Sequence, residues 1–458
     1  MIKKIFLNIL QYLKRKVSSG HEQSVELKKN AIYSAGIKFL QIAVGIIYLP
    51  AVLNFVDKTT IGIVMTITSI SSWLIVSDIG IGNGFKNEFN KAISSGNDVR
   101  AKEITSTAYI SIFAILIIIS IVFIIISGFI NWNSVLSLSS NPKHLLLGIR
   151  FAVTAFLLNF GLRLITKIFQ AEQKSYLNNI IALLIKITKL TLILIAIQIT
   201  TGSFLKYIVI NQSVPVLIYL TASLILFHTT FKKYKPSLRN FQFSEVKNIT
   251  SLGLKFFLMQ ITGMILFSTD NIIIASLFST ADVTVYNVAR KYYFNIWTLF
   301  TFISVPLWPA YTKAYARKDF KWIKRITKKI LKISLILSGI ILIMLMFYQP
   351  VIKFWLQGKI QVPLLLSIFM ALSIVIRLIT SPFVSFINGS AKLKVSMRIA
   401  PILAVLNIPL SILFAKPLQM GIAGVIFATS LCNGASMIIT GIQYYQIVYK
   451  KSKGIWNK

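Results

Sequence analysis

The chain has 458 residues, 55% of them apolar and only 13% charged, with a mean hydropathy of +0.74. A soluble core cannot hide that much apolar surface, which excludes an ordinary water-soluble domain and makes lipid the solvent of a polytopic membrane protein. The formal charge of +37 arises from 49 Lys and Arg against 12 Asp and Glu; the bases fall mostly in short segments between apolar runs, a membrane-topology pattern that implies no nucleic-acid partner.

Residues 1–29 hold no apolar run long enough for a signal peptide or a span, but Ile2, Ile5, Phe6, Ile9, Leu10 and Leu13 recur at helical spacing beside Lys3, Lys4, Lys14, Arg15 and Lys16. This segment is expected to be a basic amphipathic helix on the cytoplasmic membrane surface. A span needs about 20 mostly apolar residues. That rule places spans near 32–55, 60–80, 106–130, 145–167, 179–200, 205–228, 252–278, 283–310, 330–349, 363–386, 397–415 and 420–445, an all-α fold of twelve transmembrane helices.

The second span runs into Ser77-Asp-Ile-Gly-Ile-Gly-Asn-Gly-Phe-Lys-Asn-Glu88. Its glycines invite comparison with phosphate-cradling loops. However, the spacing is G-x-G-x-G, and Lys86-Asn87 does not supply the Lys-Ser/Thr of a P-loop. The stretch is expected to be a cytoplasmic turn or gate in which Asp78, Gly80, Gly82, Asn83, Gly84 and Asn87 allow a sharp exit and cap neighbouring helices.

The connections alternate in charge. Lys86, Lys91, Arg100 and Lys102, then Lys174, then Lys232, Lys233, Lys235 and Arg239, then the run from Lys313 to Lys329, lie on the same side as both termini. The other side holds little beyond Lys58, Lys143, Lys353, Lys359 and Lys416, so both termini are expected in the cytoplasm. The long connection 229–251 divides the spans six and six. Ser34-Ala-Gly-Ile-Lys-Phe39 matches Ser251-Leu-Gly-Leu-Lys-Phe256 at the start of the seventh span, as parallel repeats would. The expected organisation is a basic segment 1–29, a six-helix lobe 30–228, a cytoplasmic linker 229–251, a second lobe 252–445 and a basic tail 446–458. Pro50, Pro215, Pro306, Pro309, Pro382, Pro401 and Pro409 fall within spans, as suits bundles that bend.

A cation near the bilayer centre costs about 2.5–3.5 kcal/mol even on lenient scales, so intramembrane bases need partners or water. Candidates for substrate binding are Lys38, Arg150, Arg163, Arg290, Lys291 and Arg377, with Lys186 and Lys189 open between function and snorkelling. Arg377 lies about 20 Å from the outer end of its span, too deep to reach water along an isolated helix. Asn287, Lys291 and Asn295 share one helix face, and Asn159, Arg163 and Lys167 another. Asp270 is the clear intramembrane acid. With Thr269 and Asn271 it could hold a coupling Na+ or H+, or it could be a structural partner for Arg290. A bundle this basic favours an anionic substrate, and no nucleotide motif supplies energy, so an ion, potential or substrate gradient is expected. Cys432, the single cysteine, and the scattered His21, His144 and His228 form no ligand set, so no metal or other cofactor is expected beyond a coupling ion.

Asp78-x-Gly80-x-Gly82-Asn83-Gly84-x-x-Asn87, followed by Ser106-Thr-Ala-Tyr109, resembles the Wzx-type polysaccharide flippases, whose superfamily includes multidrug and toxin exporters and peptidoglycan lipid flippases. Thr269-Asp-Asn-Ile-Ile-Ile-Ala275 with Val285-Tyr286-x-x-Ala289-Arg290 is similar to the same superfamily. The resemblance covers essentially the whole chain. It implies two six-helix lobes around a central cationic cavity that opens alternately to each side, in the bacterial cytoplasmic membrane. The implied substrate is an undecaprenyl-pyrophosphate-linked oligosaccharide for O-antigen, capsule or a similar polymer, with polysaccharide polymerase machinery as a candidate partner. It further points to Lys38 and Arg290, in the first and eighth spans, as pyrophosphate contacts. A multidrug antiporter of the same fold and a membrane glycan polymerase or ligase are the alternatives; the cationic bundle weighs against the first, and the short outer connections against the second.

Overall fold

A computed structural model describes residues 22–74, 81–138, 142–172, 174, 176–250, 269–304, 306–450 and 454–457. Every long element is a helix, and no strand occurs among the described residues. This is what lipid demands, because a helix satisfies its backbone donors and acceptors within itself. The N-terminal set comprises α1 (Glu22–Phe55), α2 (Lys58–Leu74), α3 (Ile81–Ser94), α4 (Asp98–Ile126), α5 (Leu145–Leu162), α6 (Ile165–Ala171), α7 (Tyr176–Ile199) and α8 (Phe204–His228). The C-terminal set comprises α9 (Thr280–Ser304), α10 (Leu307–Ala316), α11 (Phe320–Met346), α12 (Tyr348–Trp355), α13 (Leu364–Gly389), α14 (Lys394–Ala415) and α15 (Ile422–Val448).

Nine helices among the described residues are long and apolar enough to cross a membrane. The three expected spans outside that number each differ for a visible reason. The second is described only as α2, which has 17 residues. The seventh lies largely outside the described residues, which resume at 269, and with it the second copy of the expected repeat. The eighth is α9, which carries Asp282, Arg290 and Lys291. Polar caps fix where several helices begin. Asn97 Oδ1 accepts from the Arg100 amide at 2.9 Å before α4, and Asp319 Oδ1 accepts from the Trp322 amide at 2.9 Å before α11.

The structure corrects three local expectations. Residues 81–94 form helix α3, so Gly82, Asn83, Gly84 and Asn87 are helical rather than parts of a turn; Asp78 and Gly80 lie outside the described residues. The reason is an apolar stripe within the polar stretch: Ile81, Phe85, Phe89 and Ala92 share one face and are all buried. The expected span 145–167 is broken after Leu162, and 283–310 is broken at Pro306, which caps α10. By contrast Pro50, Pro215, Pro382, Pro401 and Pro409 lie inside continuous helices. The expected amphipathic segment falls mostly on residues 1–21, outside the described residues; 22–29 continue helically into α1.

Within the N-terminal set α1 packs on α7, α5 on α8 and α3 on α4; within the C-terminal set α15 packs on α13 and α14, and α11 on α13. The outward faces stay apolar without protein cover: Ile117, Ile118, Ile121 and Ile125 of α4 are all exposed, as a lipid-facing surface requires. The two sets meet mainly through α2 and α9. Gly62 of α2 makes that approach possible, since a Cβ there would stand 1.5 Å from the Thr280 carbonyl oxygen. Hydrogen bonds at the same end, away from the basic connections, join the sets: Thr284 Oγ1 donates to the Lys58 carbonyl at 2.6 Å, Trp355 Nε1 to that of Ile46 at 2.7 Å, and Lys359 Nζ to that of Leu53 at 3.0 Å.

At the basic end the connection after α8 is strapped to the N-terminal set. Thr107 Oγ1 accepts from the Gln242 amide at 3.0 Å, and Ser106 Oγ accepts from the Ser237 amide at 3.1 Å. Arg100 bridges Glu88 at 3.3 Å and Glu245 at 3.1 Å. Helical residues 243–250 then pass so close to α3 that a Cβ on Gly84 would lie 1.9 Å from the Ile249 carbonyl oxygen.

Candidate functional site

A cavity of about 650 Å³ lies chiefly within the N-terminal set, walled by α1, α2, α5, α7 and α8, and is closed on the side of the C-terminal set by Lys291 of α9 and Asn271 of the helical residues after 269. Four bases line it: Arg163, which caps the C-terminal end of α5, Lys186 and Lys189 from α7, and Lys291 from α9. Among the described lining residues there is no carboxylate. Each ammonium rests on a neutral oxygen. Lys189 Nζ donates to Asn211 Oδ1 at 2.6 Å, Lys186 Nζ to the Gln41 carbonyl at 3.1 Å, and Lys291 Nζ to the Gly45 carbonyl. A carbonyl dipole satisfies a proton without cancelling a charge, so the cavity keeps a strongly positive field in a medium of low dielectric. Chemically, it can hold a polyvalent anion and offer hydroxyl and amide groups to a polar ligand: Tyr48, Thr68, Tyr207, Asn211 and Tyr219 share the wall.

The helical residues after 269 and α9 also border a second, much smaller space on their other side. A cavity of about 20 Å³ within the C-terminal set is lined by Asp270, Tyr286, Arg290, Ser373, Arg377 and Thr429, among others. Asp270 is buried. Its Oδ2 accepts from the Tyr286 hydroxyl at 2.5 Å and its Oδ1 from the Thr429 hydroxyl at 3.5 Å. The neighbours in sequence diverge: Asn271 and Lys291 face the large cavity, Asp270 and Arg290 the small one. Asn271 is the hinge of this wall, donating to Ser69 Oγ at 3.0 Å and accepting from Asn287 Nδ2 at 2.8 Å.

The structure therefore divides the sequence-derived candidates. Arg163 and Lys291 come together in the large cavity, joined by Lys186 and Lys189. Arg290 and Arg377 gather instead around Asp270, with Thr269 buried nearby. Lys38 lines neither cavity; its ammonium lies 5.4 Å from the centre of the Phe302 ring. Arg150 is elsewhere, donating to Ser127 Oγ at 3.0 Å at the end of α4. Asn83, on α3, accepts from Lys167 Nζ at 3.3 Å. Sequence reasoning missed the neutral partners, Asn211 and Tyr207 above all. The available signal was their spacing of four residues inside an apolar run, which places both on one face of α8, where Asn211 Nδ2 donates to the Tyr207 hydroxyl at 3.2 Å.

Comparison with known proteins places this architecture. Residues 27–315 match the model of the family described as polysaccharide biosynthesis protein, and residues 256–413 match that of the MatE family. A provisionally named O-antigen export protein of Yersinia pseudotuberculosis is 22% identical over 385 residues, covering 81% of this chain and 85% of that protein. Among solved structures, the inward-facing form of a multidrug resistance MATE family transporter of the MOP superfamily superposes with a TM-score of 0.72 at 13% identity, covering 93% of this chain and all of the other. A mutant of a Vibrio cholerae MATE transporter gives 0.61 at 14% identity, with 94% and 100% covered. At such identity the likeness establishes the fold.

Proposed function

The chain belongs to the polysaccharide biosynthesis protein family, and we propose that it is a flippase moving undecaprenyl-pyrophosphate-linked oligosaccharide units from the cytoplasmic to the outer leaflet for a surface polysaccharide such as O-antigen or capsule. The observation that carries this reading is the large cavity's four bases and its lining without a described carboxylate. A pyrophosphate has the charge to answer that field, while the lipid tail stays in the bilayer and the sugars meet tyrosine, asparagine and threonine. The Yersinia pseudotuberculosis relative's name supports the substrate class.

In this reading the chain is a transporter, not a polymerase or ligase, and sits in the cytoplasmic membrane with both termini inside, polymerase machinery receiving its product. The two helix sets rock about their shared wall, and an ion gradient drives the cycle. Lys189 and Lys291 hold the head group from opposite sets, so that its capture and release are felt by both.

Flipping measured in proteoliposomes with a defined lipid-linked glycan tests this. Lys189→Gln and Lys291→Gln, each shown to insert and fold, are expected to lower the rate about tenfold or more. Normal rates in both would remove Lys189 and Lys291 from head-group binding, and absence of flipping by the unaltered chain would sink the proposal. Export of cationic dyes without glycan flipping would favour the multidrug reading that the MatE match suggests.

A further inference from the structure

Asp270 is the one carboxylate among the described residues lining either cavity. A site for an exchangeable cation needs a cluster of oxygen ligands with free lone pairs and no competing positive charge. Asp270 has the opposite surroundings. Tyr286 directs its hydroxyl proton at it, and Thr429 Oγ1, which accepts from Asn407 Nδ2 at 3.0 Å, divides its one proton between Asp270 Oδ1 at 3.5 Å and the Val425 carbonyl at 3.3 Å. Arg290 and Arg377 line the same space. About 20 Å³ remains, room for about one water. An incoming sodium ion would meet two guanidinium charges already in place.

The charge count points the same way. With Asp270 ionised the cluster carries one net positive charge; without it, two guanidinium groups would share a desolvated space uncompensated. The wall between the cavities adds a geometric reason. Asp270 and Arg290 are covalent neighbours of Asn271 and Lys291, so whatever fixes the first pair also sets the aim of the second.

We infer that Asp270 is the fixed counter-ion of Arg290 and Arg377 and a positioning residue for Lys291, not the binding group of a coupling cation. The inference rests on the proposed transport function in one of its two readouts only.

The first readout is thermal unfolding of the purified full chain in detergent. Asp270→Asn is expected to lower the melting temperature, and Asp270→Asn combined with Arg377→Gln to recover most of the loss, because the double variant restores the charge balance. If the single variant yields no folded protein, recovery of folded protein by the double variant is the equivalent result. A double variant no better than Asp270→Asn overturns the inference. The second readout is flipping with imposed sodium or proton gradients. The double variant is expected to respond to a gradient by the same factor as the unaltered chain. Retained basal flipping with the gradient response abolished, in Asp270→Asn and in the double variant, would make Asp270 the coupling site and overturn the inference. Absence of flipping by the unaltered chain would instead refute the proposed function, leaving the melting comparison to decide the role of Asp270.

Discussion

Two arginines of the fourth expected span, Arg150 and Arg163, show what residue-level placement decides. Both are intramembrane bases by sequence, but one is pinned to Ser127 at the end of α4 and the other lines the large cavity beside Tyr219. Arg150→Gln is therefore expected to cost about 1.5–3 kcal/mol of stability, the range for a hydrogen bond to a charged group. Flipping per folded molecule should stay near its original rate. Chemical unfolding alongside proteoliposome flipping checks this, and a loss of rate without a loss of stability would place Arg150 in the transport path. The presence of unusual intramembrane bases was legible in the sequence; their distribution was not. Arg290 and Lys291 sit at the same depth, but successive helical residues diverge by about 100°, so they enter different cavities. Depth can be counted along one helix, whereas the aim of a side chain depends on which neighbours surround that helix.

Among the elements, α3 and the strap that follows α8 give the glycine-rich stretch its explanation. The stretch reads as a turn because glycines and polar residues cluster there, but the buried stripe of Ile81, Phe85 and Phe89 makes it a helix, and Gly84 supplies closeness rather than a bend. The strap also accounts for Ser106 and Thr107, which accept amide protons from Ser237 and Gln242. None of this was visible without the fold, since the partners are more than 130 residues apart. The apolar runs were legible because span length follows from bilayer thickness. Breaks such as the one after Leu162 depend on packing instead. Gly84→Val should push residues 243–250 off α3, at a cost of about 1–3 kcal/mol, the range for overpacking a close contact. The expected signs are a lower melting temperature and faster protease cleavage near residue 249; unchanged cleavage would mean that the strap does not depend on this contact.

At the scale of the molecule, the joints between the two sets are unevenly distributed. Gly62 against Thr280, Lys58 with Thr284, Ile46 with Trp355, and Leu53 and Asn54 with Lys359 all lie toward the end away from the basic connections. The large cavity, with Arg163 and Lys186 on its wall, lies on the basic side of those joints. A transporter that exposes one cavity to each side in turn must break this seam once per cycle, because packed interfaces switch between discrete arrangements rather than stretch. Lys359 is the most telling member, since its ammonium reaches both the Leu53 carbonyl and the Asn54 side chain across the seam. Joining the seam covalently should therefore stop transport without harming the fold. With Cys432→Ala removing the native thiol, Asn54→Cys and Lys359→Cys linked by a short thiol-reactive cross-linker are expected to abolish flipping, while the unlinked double-cysteine chain keeps most of its rate. A cleavable linker should return the activity on reduction. If the linked protein still flips at its unlinked rate, this seam does not open during transport, and the cavity must discharge its substrate by another route.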